Sequence, residues 1–419
     1  MIPGPSRFPE GDAAARQARL AGAIFLAGFL LVRLAVLVTV ALLVQGREFT
    51  DDVPMHLRMA RHPLAGLQGL AGQDSQHPPL LGLAEAIFVR PLLLLTPDYY
   101  AVRLAYLAYE LLTALVFWWA LARVVPTVRA RLWPAAAFVV NPMGWLSTVV
   151  MAQDEIIAAF MLIMVVWLHL SNRPRAALAV CGLGVVAAKI FLLAPLLVLV
   201  LVPGRARLLE RIIWGGAPVA GVTAWAFLGT LSRGGQAPLM GFSPGNAFGV
   251  NMWVPLAGWL GLDGRSARLW SSVATVAAIL ALILAVRARR VVPDGRLMVG
   301  LMAAALLWVF VCFYHVNPEY YVMVAPLLLL LYPRPAATTC VTLILTLPWL
   351  ANLFYGLRNA TQAGAPSSPK SVFLELYASM FSVEPALLYQ LSLLLSVLGT
   401  AGITVAVTSA AVGSRARPI

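Results

Sequence analysis

Polar side chains capable of acid–base chemistry follow the first long apolar run of the chain. Two adjacent carboxylates, Asp51 and Asp52, open this polar segment, and His56, Arg58 and His77 follow within it. The run before them, residues 20–45, is longer than the roughly 20 apolar residues that cross a bilayer. Carboxylates at the water-facing mouth of a membrane bundle are costly to desolvate and add little to packing. The segment is therefore a candidate seat of chemistry on a substrate held in the membrane.

Three later segments add polar groups at unusual positions. In chain order these are Gln153, Asp154 and Glu155; then Lys189; then His315, Glu319 and Tyr320. Taken singly, the carboxylates could be ordinary solvated turn residues, and His315 and Tyr320 could be interfacial hydrogen-bonding or belt side chains. Lys189 is different, because a lysine near mid-membrane costs roughly 2.5–3.5 kcal/mol. It needs an anionic partner, either a carboxylate such as Glu319 or a lipid phosphate.

The composition of the chain indicates its class. The 419 residues are 61% hydrophobic and only 11% charged, with a mean hydropathy of +0.86, whereas soluble proteins carry about 25% charged residues. Apolar runs recur along the whole length, which predicts one all-α polytopic membrane domain over residues 1–419. The predicted helices cover residues 20–45, 98–122, 132–150, 155–170, 175–188, 190–202, 211–231, 269–287, 297–313, 320–332, 336–354 and 386–409.

The basic charge is distributed by loop and sets the expected topology. When the helices are read alternately from a cytoplasmic N-terminus, 18 of the 30 basic residues fall in inner loops and 10 in outer loops. Acidic residues sort the other way, with twelve of 17 outside. This is the positive-inside pattern, so the net charge of +13 does not indicate nucleic-acid binding. Both termini are predicted to be cytoplasmic, and the polar segments meet at the outer face.

Two apolar segments depart from a simple crossing. Residues 79–96 contain Glu85 and Arg90 and are predicted to form an amphipathic helix at the outer interface. Residues 175–202 are interrupted by Lys189 and Pro195, which predicts a broken helix pair with the lysine at its apex.

Two charged residues have a structural interpretation. Arg33 and Glu110 lie near the middle of the first and second predicted helices, so antiparallel packing would bring them together as a buried ion pair. A water-filled cavity is the alternative. The three cysteines, Cys181, Cys312 and Cys340, fall in apolar runs and are expected to be small buried hydrophobes.

Four motifs in order resemble those of the GT-C membrane glycosyltransferases. Residues 49–83 resemble the acidic first outer loop of that class, with His77 in place of the usual Tyr before Pro-Pro-Leu. Residues 141–156 resemble its Asn-Pro…Gly-Gln-x-Asp-Ser stretch, with Ala152 in place of Gly. Residues 185–197 resemble its Lys…Pro-Leu-Leu segment, and residues 315–328 its late His…Tyr…Pro-Leu motif.

The resemblance implies a GT-C-like bundle of about twelve helices, with a broken helix pair, juxtamembrane helices at the outer face and a catalytic outer loop at about residues 46–97. It is strongest to polyprenol-phosphate-mannose-dependent mannosyltransferases of bacteria and to the first mannosyltransferase of glycosylphosphatidylinositol assembly. It implies a sugar moved from a polyprenyl-phosphate donor to a glycan or glycolipid acceptor at the extracytoplasmic face of a bacterial plasma membrane. Mannose is the expected sugar, with glucose and arabinose as alternatives.

The resemblance also implies roles for the polar residues. Asp52, immediately before Val-Pro, would be the base that deprotonates the acceptor hydroxyl, with Asp51 as the fallback. Cations would hold the lipid phosphate and polar side chains would bind the sugar. The expected substrate-binding residues are Arg58, His77, Gln153, Asp154, Glu155, Lys189, His315, Glu319 and Tyr320.

Two other classes of function compete with an enzyme. A lipid-linked sugar flippase or transporter also uses broken helices and intramembrane charges, but it should show two similar halves, and this sequence contains no internal repeat. A non-catalytic scaffold within a glycosylation complex is the third alternative. No cofactor is expected; a divalent metal fits the number of acids but is not needed to hold a phosphate between cations.

Overall fold

The computed structural model describes residues 12–44, 52–65, 67, 77–204, 206–231, 248–249, 251–289, 292–363 and 384–413. The α-helices in these ranges are α1 Asp12–Val44, α2 Asp52–Arg61, α3 Leu81–Leu93, α4 Asp98–Val124, α5 Val128–Val140, α6 Pro142–Trp145, α7 Glu155–Leu170, α8 Pro174–Ala187, α9 Leu193–Leu201, α10 Leu208–Leu231, α11 Trp253–Leu260, α12 Gly264–Ala288, α13 Gly295–Cys312, α14 Tyr321–Leu331, α15 Pro335–Ala363 and α16 Pro385–Gly413. A π-helical turn, Leu146–Val150, and two 3-10 turns, Ile190–Leu192 and Pro318–Tyr320, complete the helical elements of this part of the chain.

The protein is an all-α polytopic membrane protein, as the composition predicts. Helical elements cover each of the twelve predicted crossing segments, but the predicted helix 132–150 is wrong as a single helix: it is divided among α5, α6 and the π-helical turn, with a break at Asn141 before Pro142. Seven helices in the described ranges are long and apolar enough to span a membrane. The strands that the structure describes, β1 Phe248–Gly249 and β2 His315–Val316, form a short parallel pair. The pairing places His315 opposite Phe248 and Val316 opposite Gly249.

Several buried helices, among them α7, are shorter than the long helix α4 beside them. α7 has 16 residues and α4 has 27, so α7 is about 24 Å long and α4 about 40 Å. The two helices pack together, and Val124 and Leu170, the last residue of each, line the same cavity, so these ends are level. At its other end α4 therefore extends roughly 16 Å beyond α7. α2 and α3 both pack against α4, and α3 also contacts α8.

The broken helix pair is confirmed. α8 ends at Ala187, and Lys189 lies in an extended backbone (φ −150°, ψ 138°) before the 3-10 turn that leads into α9. α8 has 14 residues and α9 has 9, so neither reaches the ~20 residues of an upright span. The apex of the pair therefore lies below the ends of the long helices, where a lysine side chain is costly without a partner.

The predicted ion pair between α1 and α4 is also confirmed. Arg33 donates from Nε (2.9 Å) and Nη2 (2.7 Å) to Glu110 Oε1, and both side chains are buried. The Thr148 hydroxyl donates to Glu110 Oε2 at 2.6 Å, and Arg33 Nη1 donates to the Val139 carbonyl at 2.6 Å. A Cβ on Gly144 would meet Glu110 Oε1 and lie 2.8 Å from Arg33 Nη2, so only glycine leaves room for the pair.

One expectation about the cysteines is wrong. Cys181 and Cys312 are buried, but Cys340 is exposed on α15. In a membrane bundle the outward helix faces are as apolar as the core, so an apolar run does not reveal which side of the helix faces inward.

We expect Arg33→Leu to lower the free energy of unfolding by roughly 3–5 kcal/mol, because it leaves Glu110 charged and buried. Arg33→Leu/Glu110→Leu should recover much of that loss, since it removes both charges. Arg61→Gln is the matched control: its pair with Asp98 is half exposed (51% and 54%) and should contribute at most about 1 kcal/mol. Denaturant unfolding in detergent measures all three, and equal effects of Arg33→Leu and Arg61→Gln would contradict the interpretation.

Candidate functional site

An irregular turn positions the two acids that precede α7. After the π-helical turn the chain turns sharply at Ala152, whose φ of 53° lies in the left-handed region that favours glycine. Ala152 is the position at which the GT-C motif carries Gly, so the residue departs from the motif while the backbone has the conformation that Gly prefers. Asp154 and Glu155 follow directly, at the start of α7, and both are buried.

The apex of the broken helix pair meets these two acids. Lys189 Nζ lies 3.0 Å from Asp154 Oδ1 and 2.9 Å from Glu155 Oε1. His77 Nδ1 lies 4.0 Å from Asp154 Oδ2, and the Tyr320 ring centroid lies 5.6 Å from Lys189 Nζ. We call Lys189, Asp154, Glu155, His77 and Tyr320 the lysine cluster. Four separate stretches of the chain thus converge at the end of the bundle where α7 falls short of α4.

The anionic partner of Lys189 is therefore a pair of carboxylates. The named possibility, Glu319, is not the observed partner: the contacts are to Asp154 and Glu155. From the sequence, these two acids were predicted to bind the substrate. Their contact with Lys189 could not be predicted, because it depends on how α7 packs against α8.

Burial and the charges of the lysine cluster shift the pKa values of groups that lie outside the membrane-spanning helices. Burial opposes ionisation of Asp154, but the Lys189 ammonium and the imidazoles of His77 and His56 outweigh it and lower the pKa of Asp154. Burial likewise opposes the ammonium of Lys189, yet Asp154 and Glu155 raise its pKa well above the usual value. Burial and the nearby Lys189 lower the pKa of His315. Both effects favour the neutral imidazole of His315, which interacts with an anion by hydrogen bonding and not by charge.

One carboxylate oxygen of each acid can still accept a hydrogen bond. Within the part of the chain that the structure describes, Asp154 Oδ2 and Glu155 Oε2 are buried and make no hydrogen bond. A buried carboxylate oxygen without a donor costs about 1–3 kcal/mol or more. The arrangement therefore favours a ligand that brings hydroxyl or amide donors.

A second group of buried polar side chains connects α2, α3 and α4. His56 Nδ1 lies 2.6 Å from Glu85 Oε1, and the Tyr106 hydroxyl donates to the same oxygen at 2.8 Å. Burial raises the pKa of Glu85, and the His56 imidazole acts against that rise. The ring centroids of His56 and His77 lie 6.4 Å apart, which places this group beside the lysine cluster.

Sequence reasoning missed the role of this second group. His56 lies in the polar segment and Glu85 in an otherwise apolar helix, and no local pattern in the sequence pairs the two. Glu85 was expected on an amphipathic helix at the interface; α3 does form, with Glu85 fully buried against α2 and α4. Tyr106 carries no signal in the sequence that separates it from other aromatic residues of α4.

The remaining predicted residues have different positions. Asp51 lies outside the described residues; Asp52 is the first residue of α2, and its side chain is outside them too. Arg58 lies on the exposed side of α2. Gln153 Nε2 donates to the Met151 carbonyl at 3.3 Å, within its own turn.

The late motif contributes one aromatic stack to the site. The rings of His315 and Tyr320 are stacked at 6.5 Å between centroids, and Glu319 is buried beside Tyr320. Within the described ranges, His, Cys, Asp and Glu side chains form no group of three or more that could hold a metal ion.

The chain matches no protein-family model, and comparison with curated proteins and with solved structures gives no match either.

We expect Lys189→Met to destabilise the protein by roughly 3–5 kcal/mol, because it strands two buried carboxylates. Adding Asp154→Asn and Glu155→Gln should recover much of the loss. Arg175→Gln, which breaks the more exposed pair with Glu210, serves as the control. Unfolding in detergent measures the series, and an unchanged midpoint for Lys189→Met would contradict the assignment of the pair.

Proposed function

We propose that this protein is an inverting glycosyltransferase that moves a sugar, mannose in the first instance, from a polyprenyl-phosphate donor to a glycan or glycolipid acceptor. The observation that carries the proposal is the convergence of Lys189, Asp154, Glu155 and His77 at one end of an apolar bundle. Polar groups of both signs at the end of a membrane bundle suit a substrate with a polar head and a long apolar tail.

The acids support a sugar as the head of that substrate. The unpartnered oxygens of Asp154 and Glu155 accept hydrogen bonds, and sugar hydroxyls donate them. Lys189 fixes the opposite oxygen of each acid, so the two acceptors are held in place before the sugar arrives. His77 lies next to Asp154, and its side chain is 17% exposed.

The lipid phosphate needs cations beyond Lys189, which two carboxylates already neutralise. Lys189 remains 14% exposed, and Arg58 lies on the exposed side of α2. We assign the phosphate to these two side chains, with His315 as a neutral hydrogen-bonding partner. The phosphate gains charge as the glycosidic bond breaks, so cations placed there stabilise the transition state more than the ground state.

Asp52 is the proposed base, with Asp51 as the alternative. The carboxylate takes the proton of the acceptor hydroxyl, whose oxygen attacks the anomeric carbon. The bond from that carbon to the phosphate oxygen breaks on the opposite face, which inverts the configuration. α2 carries Asp52, and the buried pair of His56 with Glu85 anchors α2 to α3.

We expect Asp52→Asn to fold normally and to lose transfer activity by about 10²–10⁴-fold or more, because the base is missing. The measurement is release of lipid phosphate together with a glycosylated acceptor, from labelled polyprenyl-phosphate mannose. Asp98→Asn, a half-exposed acid at the start of α4, is the matched control and should keep its activity.

Two outcomes of that assay would overturn the proposal. Turnover at the wild-type level in both Asp52→Asn and Asp51→Asn would remove both acids from the base role. Movement of intact donor across the bilayer, with no cleavage by the wild type, would identify a flippase.

We propose that the site faces the extracytoplasmic side of a bacterial plasma membrane and that both termini are cytoplasmic. In a Cys340→Ala background, a membrane-impermeant thiol reagent should label cysteines introduced at Ser75 and Ser243 in intact cells. A cysteine at Arg289 should react only after permeabilisation. The reverse labelling pattern would overturn the orientation that the arginine distribution predicts.

A further inference from the structure

A cavity of about 570 Å³ lies at the end of the bundle opposite to the lysine cluster. The ends of α4, α7 and α9 and the starts of α8, α10 and α13 surround it. Its charged walls are three arginines and one carboxylate: Arg123, Arg211, Arg296 and Asp294. Its volume is within the roughly 300–1,000 Å³ typical of ligand pockets, and the excess of guanidinium groups favours an anion.

Hydrogen-bond donors around this cavity are incompletely used. Arg211 Nη1 donates to the carbonyls of Leu199 and Val202, at the end of α9. Its Nε is buried without a hydrogen bond in the described ranges, and so is Nδ1 of His169, another wall residue. Asp294 Oδ1 accepts from the Leu297 amide at 2.8 Å and so caps the start of α13. The cavity thus has at least one donor, Arg211 Nε, that the described residues do not satisfy, and an imidazole nitrogen that donates or accepts according to its tautomer.

The position of the cavity indicates the source of the anion. The ends of membrane-spanning helices lie at the depth of the lipid headgroups, where basic pockets between helices bind anionic headgroups. On its own side of α10, Arg211 has two exposed apolar neighbours at helical spacing, Leu208 (43%) and Trp214 (45%). Such a surface suits acyl chains beside the guanidinium.

We propose that this cavity binds the phosphate headgroup of an anionic phospholipid, with Arg211 and Arg123 as its principal ligands. The acyl chains run along the exposed face of α10. The proposal is independent of the glycosyltransferase assignment, because it uses none of the residues of the lysine cluster.

The test is a titration of the purified full chain, in a neutral detergent, with short-chain phosphatidylglycerol, followed by native mass spectrometry. Phosphatidylcholine of the same chain length and inorganic phosphate are the comparison ligands. We expect saturable binding of phosphatidylglycerol that Arg211→Gln weakens by roughly tenfold or more, as loss of a hydrogen bond to a charged group does. Arg129→Gln, an exposed arginine at the start of α5 that is not a wall residue, should bind like the wild type.

Arg211 also holds the end of α9, so Arg123→Gln provides a second variant that perturbs only an exposed wall residue. It should bind phosphatidylglycerol several-fold more weakly while its unfolding midpoint stays unchanged. Equal affinity in the wild type and in both wall variants would overturn the site. Binding of inorganic phosphate or phosphatidylcholine as tight as that of phosphatidylglycerol would overturn the assignment to an anionic lipid.

Discussion

Neutralisation of charge inside an apolar bundle is the constraint on which this structure depends. Lys189 lies between two short helices and is held at 3.0 and 2.9 Å by Asp154 and Glu155. That contact ties the apex of the broken pair to the start of α7. Arg33 and Glu110 tie α1 to α4 in the same manner. Because an unpaired buried charge costs several kcal/mol, each pair restricts which helices can be neighbours. The polar site forms around one of these pairs, the contact of Lys189 with Asp154 and Glu155.

The position of that site follows from the unequal lengths of the helices. α14 is buried at every residue from Tyr321 to Leu330 and, like α7, α8 and α9, is too short to span alone. The neighbouring helix α4 is longer, and α2 and α3 pack against it. The lysine cluster consequently lies at the ends of the short central helices, and the His56–Glu85 pair secures α2 beside it. The same arrangement brings the opposite helix ends level, around the basic cavity.

Much of the fold could be predicted from sequence, because apolar runs and their interruptions reflect the membrane directly. Lys189 and Pro195 interrupt an apolar run, and this interruption predicted the broken helix pair. Arg33 and Glu110 lie at similar depths in two neighbouring helices, and this predicted their ion pair. Tertiary pairing was harder to predict. Lys189 needed a carboxylate, but the choice between Glu319 and the Asp154–Glu155 pair depends on helix packing. Glu85 was assigned to the interface because its partner, His56, lies on a helix whose docking no local pattern reveals.

In the proposed function, the acids of the lysine cluster bind the sugar of a lipid-linked donor. A cryo-electron microscopy structure with a non-cleavable polyprenyl-phosphonate sugar tests it most directly. We expect sugar hydroxyls within hydrogen-bond distance of Asp154 Oδ2 and Glu155 Oε2, with the phosphonate near Arg58 and Lys189. A sugar bound elsewhere in the bundle, with the two acids still contacting only Lys189 and His77, would contradict it.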